Sequence, residues 1–256
     1  MSPEKFAFGV AIAVFAGGSV GLILQRILPE RFTTGGPRDM IGAVVGLLTL
    51  LSALVLGLLI WTAYGVYAGQ SLAIQTLAAK ILQYDLALAD YGPEANDLRA
   101  QARHALARTI EQVWNANEND NEFVAHNFAA ALQSLRNRGE ALQNLTPSTD
   151  GQKQALAAAK AIDESIGQSR LQMSFALADP VSYPLILMVV GWATFLFCGY
   201  GLMSKGNAMS VAAGAVGAIA VSSAVYMILD LTDPYSGLFR ASSAPLEQVL
   251  AVMGKE

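Results

Sequence analysis

The chain has 256 residues, 54% of them hydrophobic, with 16 basic and 20 acidic side chains and a formal net charge of −4. That is too apolar for an ordinary soluble domain, and the acidic balance without a basic patch sets nucleic-acid binding aside. One cysteine, Cys198, excludes an intrachain disulfide framework or a cysteine metal site.

Four stretches contain no Asp, Glu, Lys or Arg: Phe6 to Gln25, Met40 to Ala79, Pro180 to Ser204 and Gly206 to Leu229. A hydrocarbon core about 30 Å thick needs roughly 20 apolar residues in helical form. A charge at its centre costs at least about 2.5–3.5 kcal/mol. Each stretch is therefore long enough to span once. By contrast, Lys80 to Asp179 holds nine basic and thirteen acidic residues. The expected fold is all-α, a polytopic membrane protein with four transmembrane helices and a helical extramembrane bundle inserted between spans two and three. Residues 1–69 would form spans one and two, 70–179 the bundle continuing span two, 180–229 a hairpin of spans three and four, and 230–256 a closing turn with an amphipathic tail.

Span one, Phe6 to Leu28, follows Lys5. Its 20-residue apolar run exceeds a signal-peptide core and lacks a clear A-x-A site, so it reads as a retained span. Gly17 and Gly21 make a G-x-x-x-G pair, which lets helix backbones approach closely in lipid. Gly35-Gly36-Pro37 punctuates the hairpin that follows.

Span two begins near Met40. Gly42, Gly46, Thr49, Ala53 and Gly57 form a small-residue stripe whose default use is packing. Thr49 and Ser52, with Leu56 four residues on, offer hydroxyls and a hydrophobic constriction, so the same helix is also the candidate pore lining. Trp61, Tyr64 and Tyr67 mark the membrane interface. No stop signal appears before Gly92-Pro93, about 50 residues after Met40, which makes a continuous helix on the order of 75 Å long. Ile74, Leu77, Ile81, Tyr84, Leu88 and Tyr91 alternate spacings of three and four, a heptad seam that would pack in water.

The insert continues as helices. Leu98, Ala102, Ala105, Thr109 and Val113 mark one apolar face, and Asn115 to Asn121 reads as a turn. Val124, Phe128, Ala131, Leu135 and Leu142 fit another helix. Thr149 and Gln152 make a capping box for a last helix from about Gln152 to Ala178. Glu118, Glu122 and His126 share a helical face; metal ligation there competes with a solvated face, and the Glu-x-x-His pattern of di-iron bundles is absent. The chain carries no catalytic signature, so neither an enzyme, a cofactor nor a metal site is expected.

Spans three and four form a tight hairpin across Met203 to Asn207. Span four brings Ala213, Gly214, Gly217, Ala220 and Ala224 for close packing. At its end Asp230 and Asp233 serve either as structural caps or, in an oligomer, as a cation-attracting ring. The turn they open, with Pro234, Tyr235, Gly237 and Arg240, is expected to dock against the long second helix near Tyr67 to Thr76. The Tyr235 ring would be buried there, its hydroxyl wet and Asp230 hydrogen-bonded.

The run Ile228-Leu229-Asp230-Leu231-Thr232-Asp233-Pro234-Tyr235-Ser236-Gly237-Leu238-Phe239-Arg240, followed by Ser242-Ser243-Ala244-Pro245-Leu246, resembles the closing motif of a bacterial and plant family called bestrophin-like. In that family an acidic residue and Leu end the last span, followed by Asp-Arg-Pro-Phe-Ser-Gly. Thr232-Asp233 stands where the pattern has Asp-Arg. The resemblance implies remote kinship with bestrophins, pentameric chloride channels with four spans and a large cytoplasmic helical region.

Four crossings put both termini and the insert on one side. Basic residues near the spans are tied, with Arg26, Arg31, Arg38 and Lys205 against Lys5, Lys80, Arg170 and Arg240. The resemblance favours a cytoplasmic insert in a bacterial inner membrane. It also implies an oligomeric ion channel whose partners are the lipid bilayer, further copies of the chain and inorganic ions. The alternative is a non-conducting scaffold or signalling adaptor whose insert binds a protein, a reading that the lack of intramembrane charge favours.

Overall fold

The computed structural model describes residues 3–29, 35–114, 139–178, 182–204, 206–235 and 237–253. Among them there are helices and no strand. The chain divides into two compact units, Met1–Gly65 with Pro180–Thr232, and Val66–Asp179 with Asp233–Glu256.

The first unit contains α1 (Pro3–Ile27), the first part of α2 (Gly36–Tyr91), α5 (Tyr183–Met203) and α6 (Ala208–Leu231). These four helices are long and apolar enough to cross a membrane. Helix α2 starts at Gly36 rather than Met40, because Arg38 and Asp39 are accommodated in its first turn. Asn207 caps α6, its side chain accepting the Ser210 amide at 2.8 Å.

Helices α1, α5 and α6 pack closely because their contact faces are small. A methyl on Gly17 would lie 2.5 Å from the Thr194 carbonyl oxygen, and one on Gly21 would overlap the Cys198 carbonyl. Gly201 faces the Gly18 carbonyl just as tightly. The G-x-x-x-G pair of α1 thus seats α5 of the same chain. Gly217 on α6 lies under the Phe197 ring, and Ser222 donates to the Ala7 carbonyl at 2.6 Å.

Helix α2 touches α5 at Gly199, which leaves room for Val45, and at Gly42, which lies under Met203. Two glycines of its small-residue stripe are open among the described residues, since a Cβ at Gly46 or Gly57 would meet nothing within 4 Å. Val44, Leu47, Leu50, Leu54, Leu58 and Trp61 are exposed along the same span.

The second unit contains the rest of α2, a 3-10 turn (Pro93–Ala95), α3 (Asn96–Trp114), a helical stretch over 139–143, α4 (Asp150–Ala178) and α7 (Ala244–Val252). Gly92 ends α2 with φ 116°, a conformation that only glycine adopts without strain, and Pro93 restarts the chain. All six seam residues, Ile74, Leu77, Ile81, Tyr84, Leu88 and Tyr91, are buried in the core of this unit, with Leu98, Leu106, Leu142, Ala159 and Leu246.

Helix α4 runs antiparallel to α2, tied at three levels. Gln152 Nε2 donates to the Tyr91 carbonyl at 3.2 Å, Lys80 Nζ to Ser169 Oγ at 2.7 Å, and Gln70 Nε2 to the Met173 carbonyl at 3.1 Å. The capping box forms: the Gln152 amide donates to Thr149 Oγ1 at 3.1 Å, and the Thr149 amide to Gln152 Oε1 at 3.4 Å. The expected turn from Asn115 to Asn121 lies outside the described residues, as does most of the helix expected after it.

Candidate functional site

Two sets of residues were singled out from sequence, one in each unit apart from Asp230. In the membrane unit Thr49, Ser52 and Leu56 lie on one side of α2, together with the buried Val45, Leu59 and Ala63. Thr49 Oγ1 donates to the Val45 carbonyl at 2.8 Å and lies 3.2 Å from the Tyr200 hydroxyl of α5. Leu56 is half-buried. Ser52 is only 6% exposed, and its hydroxyl has no hydrogen-bond partner among the described residues.

That hydroxyl breaks a local habit. Ser19, Thr49, Thr62 and Thr194 each return their hydroxyl to the carbonyl four residues back, at 2.8–2.9 Å. Back-bonding is how a hydroxyl in an apolar helix is usually satisfied. Ser52 does without it, although a buried unpaired polar group costs about 1–3 kcal/mol.

The closing turn belongs to the second unit from Asp233 onward. Pro234 is buried, and its carbonyl accepts the Ala241 amide at 2.8 Å. Gly237, with φ 77°, supplies the left-handed backbone the turn needs. Tyr235 packs edge-on to Trp114, ring centroids 5.8 Å apart, and its hydroxyl donates to Gln70 Oε1 at 3.0 Å. The turn therefore meets α2 inside the stretch from Tyr67 to Thr76. Its phenol ends on a protein acceptor where sequence reasoning expected water, and burial pushes the hydroxyl pKa up to about 12.

Arg240 donates to the carbonyls of Val113, at 3.2 Å, and Trp114. These carbonyls lie in the last described turn of α3, so the guanidinium ties the closing turn to that helix. The Trp114 indole answers by donating to the Ala241 carbonyl at 2.8 Å. Trp114 and Gln70 escaped sequence reasoning. The one available signal was an amide in an otherwise apolar run between the aromatic belt and the heptad seam.

The two aspartates differ. Asp233 is exposed, whereas Asp230, on the last turn of α6, is 2% exposed. Among the described residues no group of three His, Cys, Asp or Glu side chains is arranged to hold a metal. Glu118, Glu122 and His126 lie outside those residues.

The family model for the Bestrophin-like domain matches residues 11–246. No curated protein and no solved structure gives a significant match. With four apolar helices of spanning length, an all-helical fold and a family match over nearly its whole length, the chain is an integral membrane protein that belongs to the Bestrophin-like family.

Proposed function

We propose that the chain assembles as a homo-oligomeric ion channel, with inorganic anions as the favoured cargo and α2 lining the pore through Thr49, Ser52 and Leu56. The observation that carries this reading is the Ser52 hydroxyl, buried in a membrane helix with no hydrogen-bond partner among the described residues. A hydrated path beside α2 supplies the missing partner, and Leu56 one turn further on supplies an apolar constriction that gates by dewetting. Oligomerisation is supported by the open glycines Gly46 and Gly57 and by the exposed apolar side of the same span. Both termini and the extramembrane unit lie on the cytoplasmic side of a bacterial inner membrane.

The test is ion flux from liposomes containing the purified protein. Anion efflux above that of empty liposomes, reduced in Ser52→Ala, supports the channel. Its absence leaves the adaptor reading, in which the extramembrane unit binds a protein partner and the membrane helices only anchor it.

A further inference from the structure

A cavity of about 400 Å³ opens within the membrane unit between α1, α5 and α6. That volume lies inside the range of roughly 300–1,000 Å³ typical of ligand clefts. Leu22, Phe197, Val211 and Gly214 give it an apolar wall. The polar atoms on that wall are already engaged: Ser19 Oγ donates to the Phe15 carbonyl at 2.9 Å, and the Tyr200 hydroxyl lies 3.2 Å from Thr49 Oγ1. An occupant therefore meets hydrocarbon and gains by being hydrocarbon itself.

One end of the cavity differs. Ser204 and Ser210 line it, their hydroxyls 2.5 Å apart. Two arginines converge on this loop: Arg26 Nη2 donates to the Gly206 carbonyl and Arg38 Nη2 to the Met203 carbonyl, both at 3.4 Å. Arg26 is one helical turn beyond the lining residue Leu22, on the same face of α1. Of the described charged residues here, Arg26 ends α1 and Arg38 begins α2, with Asp39 next to Arg38 in the chain, a basic excess. An apolar slot in membrane helices that ends beside guanidiniums matches a molecule with a long acyl chain and an anionic head. We infer that this cavity binds a phospholipid with an anionic headgroup, one acyl chain lying between α1, α5 and α6 and the phosphate held by Arg26 and Arg38.

Native mass spectrometry tests this on full-length protein stripped of lipid in a neutral detergent. The protein is offered equal amounts of phosphatidylglycerol and phosphatidylcholine with the same acyl chains. Preferential retention of phosphatidylglycerol by about tenfold is expected, the equivalent of one charge-assisted hydrogen bond. The double variant Arg26→Gln, Arg38→Gln should lose that preference. Gly214→Leu should lower retention of both lipids, because a Cβ at Gly214 meets nothing within 4 Å and the added side chain enters the cavity. Gly214→Ala, which adds little volume, should fold and retain lipid as the parent does. Equal retention of the two lipids by the parent protein overturns the proposal, as does unchanged retention in Gly214→Leu. A Gly214→Leu protein that changes oligomer size but not lipid retention gives the cavity to a second copy of the chain, which also overturns it.

Discussion

The Tyr235 hydroxyl donates to Gln70 Oε1 at 3.0 Å while the Gln70 amide nitrogen donates to the Met173 carbonyl at 3.1 Å. One buried amide thereby joins three segments far apart in sequence, the closing turn, α2 and α4. Gln70 is 2% exposed, so both ends of its side chain depend on these partners.

Tyr235→Phe keeps the ring and removes the donor, leaving Gln70 Oε1 unpaired. A loss of about 1–3 kcal/mol is expected, read as a lower denaturant midpoint of the extramembrane signal. Gln70→Met in the Tyr235→Phe background should recover part of it, since two apolar partners leave nothing unsatisfied on that side. The phenol also sets a pH dependence. Its pKa is raised from 10 in the unfolded chain to about 12 in the fold. The unfolded chain therefore sheds this proton first, and stability present below pH 10 declines as pH rises from 10 to 12. Tyr235→Phe should flatten that alkaline decline; an identical decline in the variant would assign it to other groups.

Asp85 is 4% exposed and accepts both Nε and Nη2 of Arg99 at 3.0 Å, joining α2 to α3. Removing one member of such a pair strands the other, at about 3–5 kcal/mol. Asp85→Ala should therefore unfold the extramembrane unit at markedly lower temperature, and 0.5 M salt should do little to the parent protein, because a buried pair is weakly screened (~3–10 Å Debye lengths act on exposed charges). Thermal melts followed by circular dichroism with and without salt separate this pair from a surface ion pair such as Lys153–Asp150.

Gly21→Ala adds one methyl where the Cys198 carbonyl already sits. Helices α1 and α5 must separate, and overpacking of this kind costs about 1–3 kcal/mol. Gly9→Ala is the control, since a methyl there meets nothing within 4 Å. A lower yield of folded protein from Gly21→Ala than from Gly9→Ala, measured by size exclusion in mild detergent, is the expected outcome. Equal yields would mean that the seam is not tight.

These sites differ in how far sequence alone could reach them. The heptad seam from Ile74 to Tyr91 was legible because a period of three and four states which face is buried without naming what buries it. Gly17 and Gly21 were legible as a close-approach face, but not their partner, since spacing within α1 carries no information about Thr194 or Cys198. The hydroxyls on α2 were visible too. That Thr49 meets Tyr200 while the Ser52 hydroxyl finds no hydrogen-bond partner among the described residues depends on which way α2 is turned against α5, and span two is apolar on nearly every side, so its pattern does not fix that rotation. Trp114 and Gln70 are harder still, because each matters only through a segment more than a hundred residues away.

The pore reading makes its own demand on Leu56. If α2 lines a hydrated path, Leu56→Ser replaces an apolar constriction with a hydroxyl, and water stays where it would otherwise be expelled. Liposome flux should rise or lose its gating, whereas Leu54→Ser, on the exposed side of the helix, should change little. Unchanged flux in Leu56→Ser would remove this face of α2 from the pore.

Asp230 and Asp233 carry the final prediction, because only two residues separate a buried carboxylate from an exposed one. A vestibule that attracts cations needs its carboxylates in water, where they act through charge alone. A carboxylate at 2% exposure instead persists only through hydrogen bonds or a paired charge, since burying it alone is prohibitive. Asp230→Ala removes the acceptor and leaves its donors stranded, a loss on the order of 1–3 kcal/mol at the end of α6. Asp230→Asn keeps the shape and one acceptor oxygen, so it should lose less. Asp233→Ala, at an exposed position, should cost less in assembly and melting temperature than Asp230→Ala and, in a conducting protein, alter ion preference. Size exclusion and thermal melts of the three variants decide the matter. Parent-like assembly and stability in Asp230→Ala would show that this carboxylate does not hold the end of the last membrane helix.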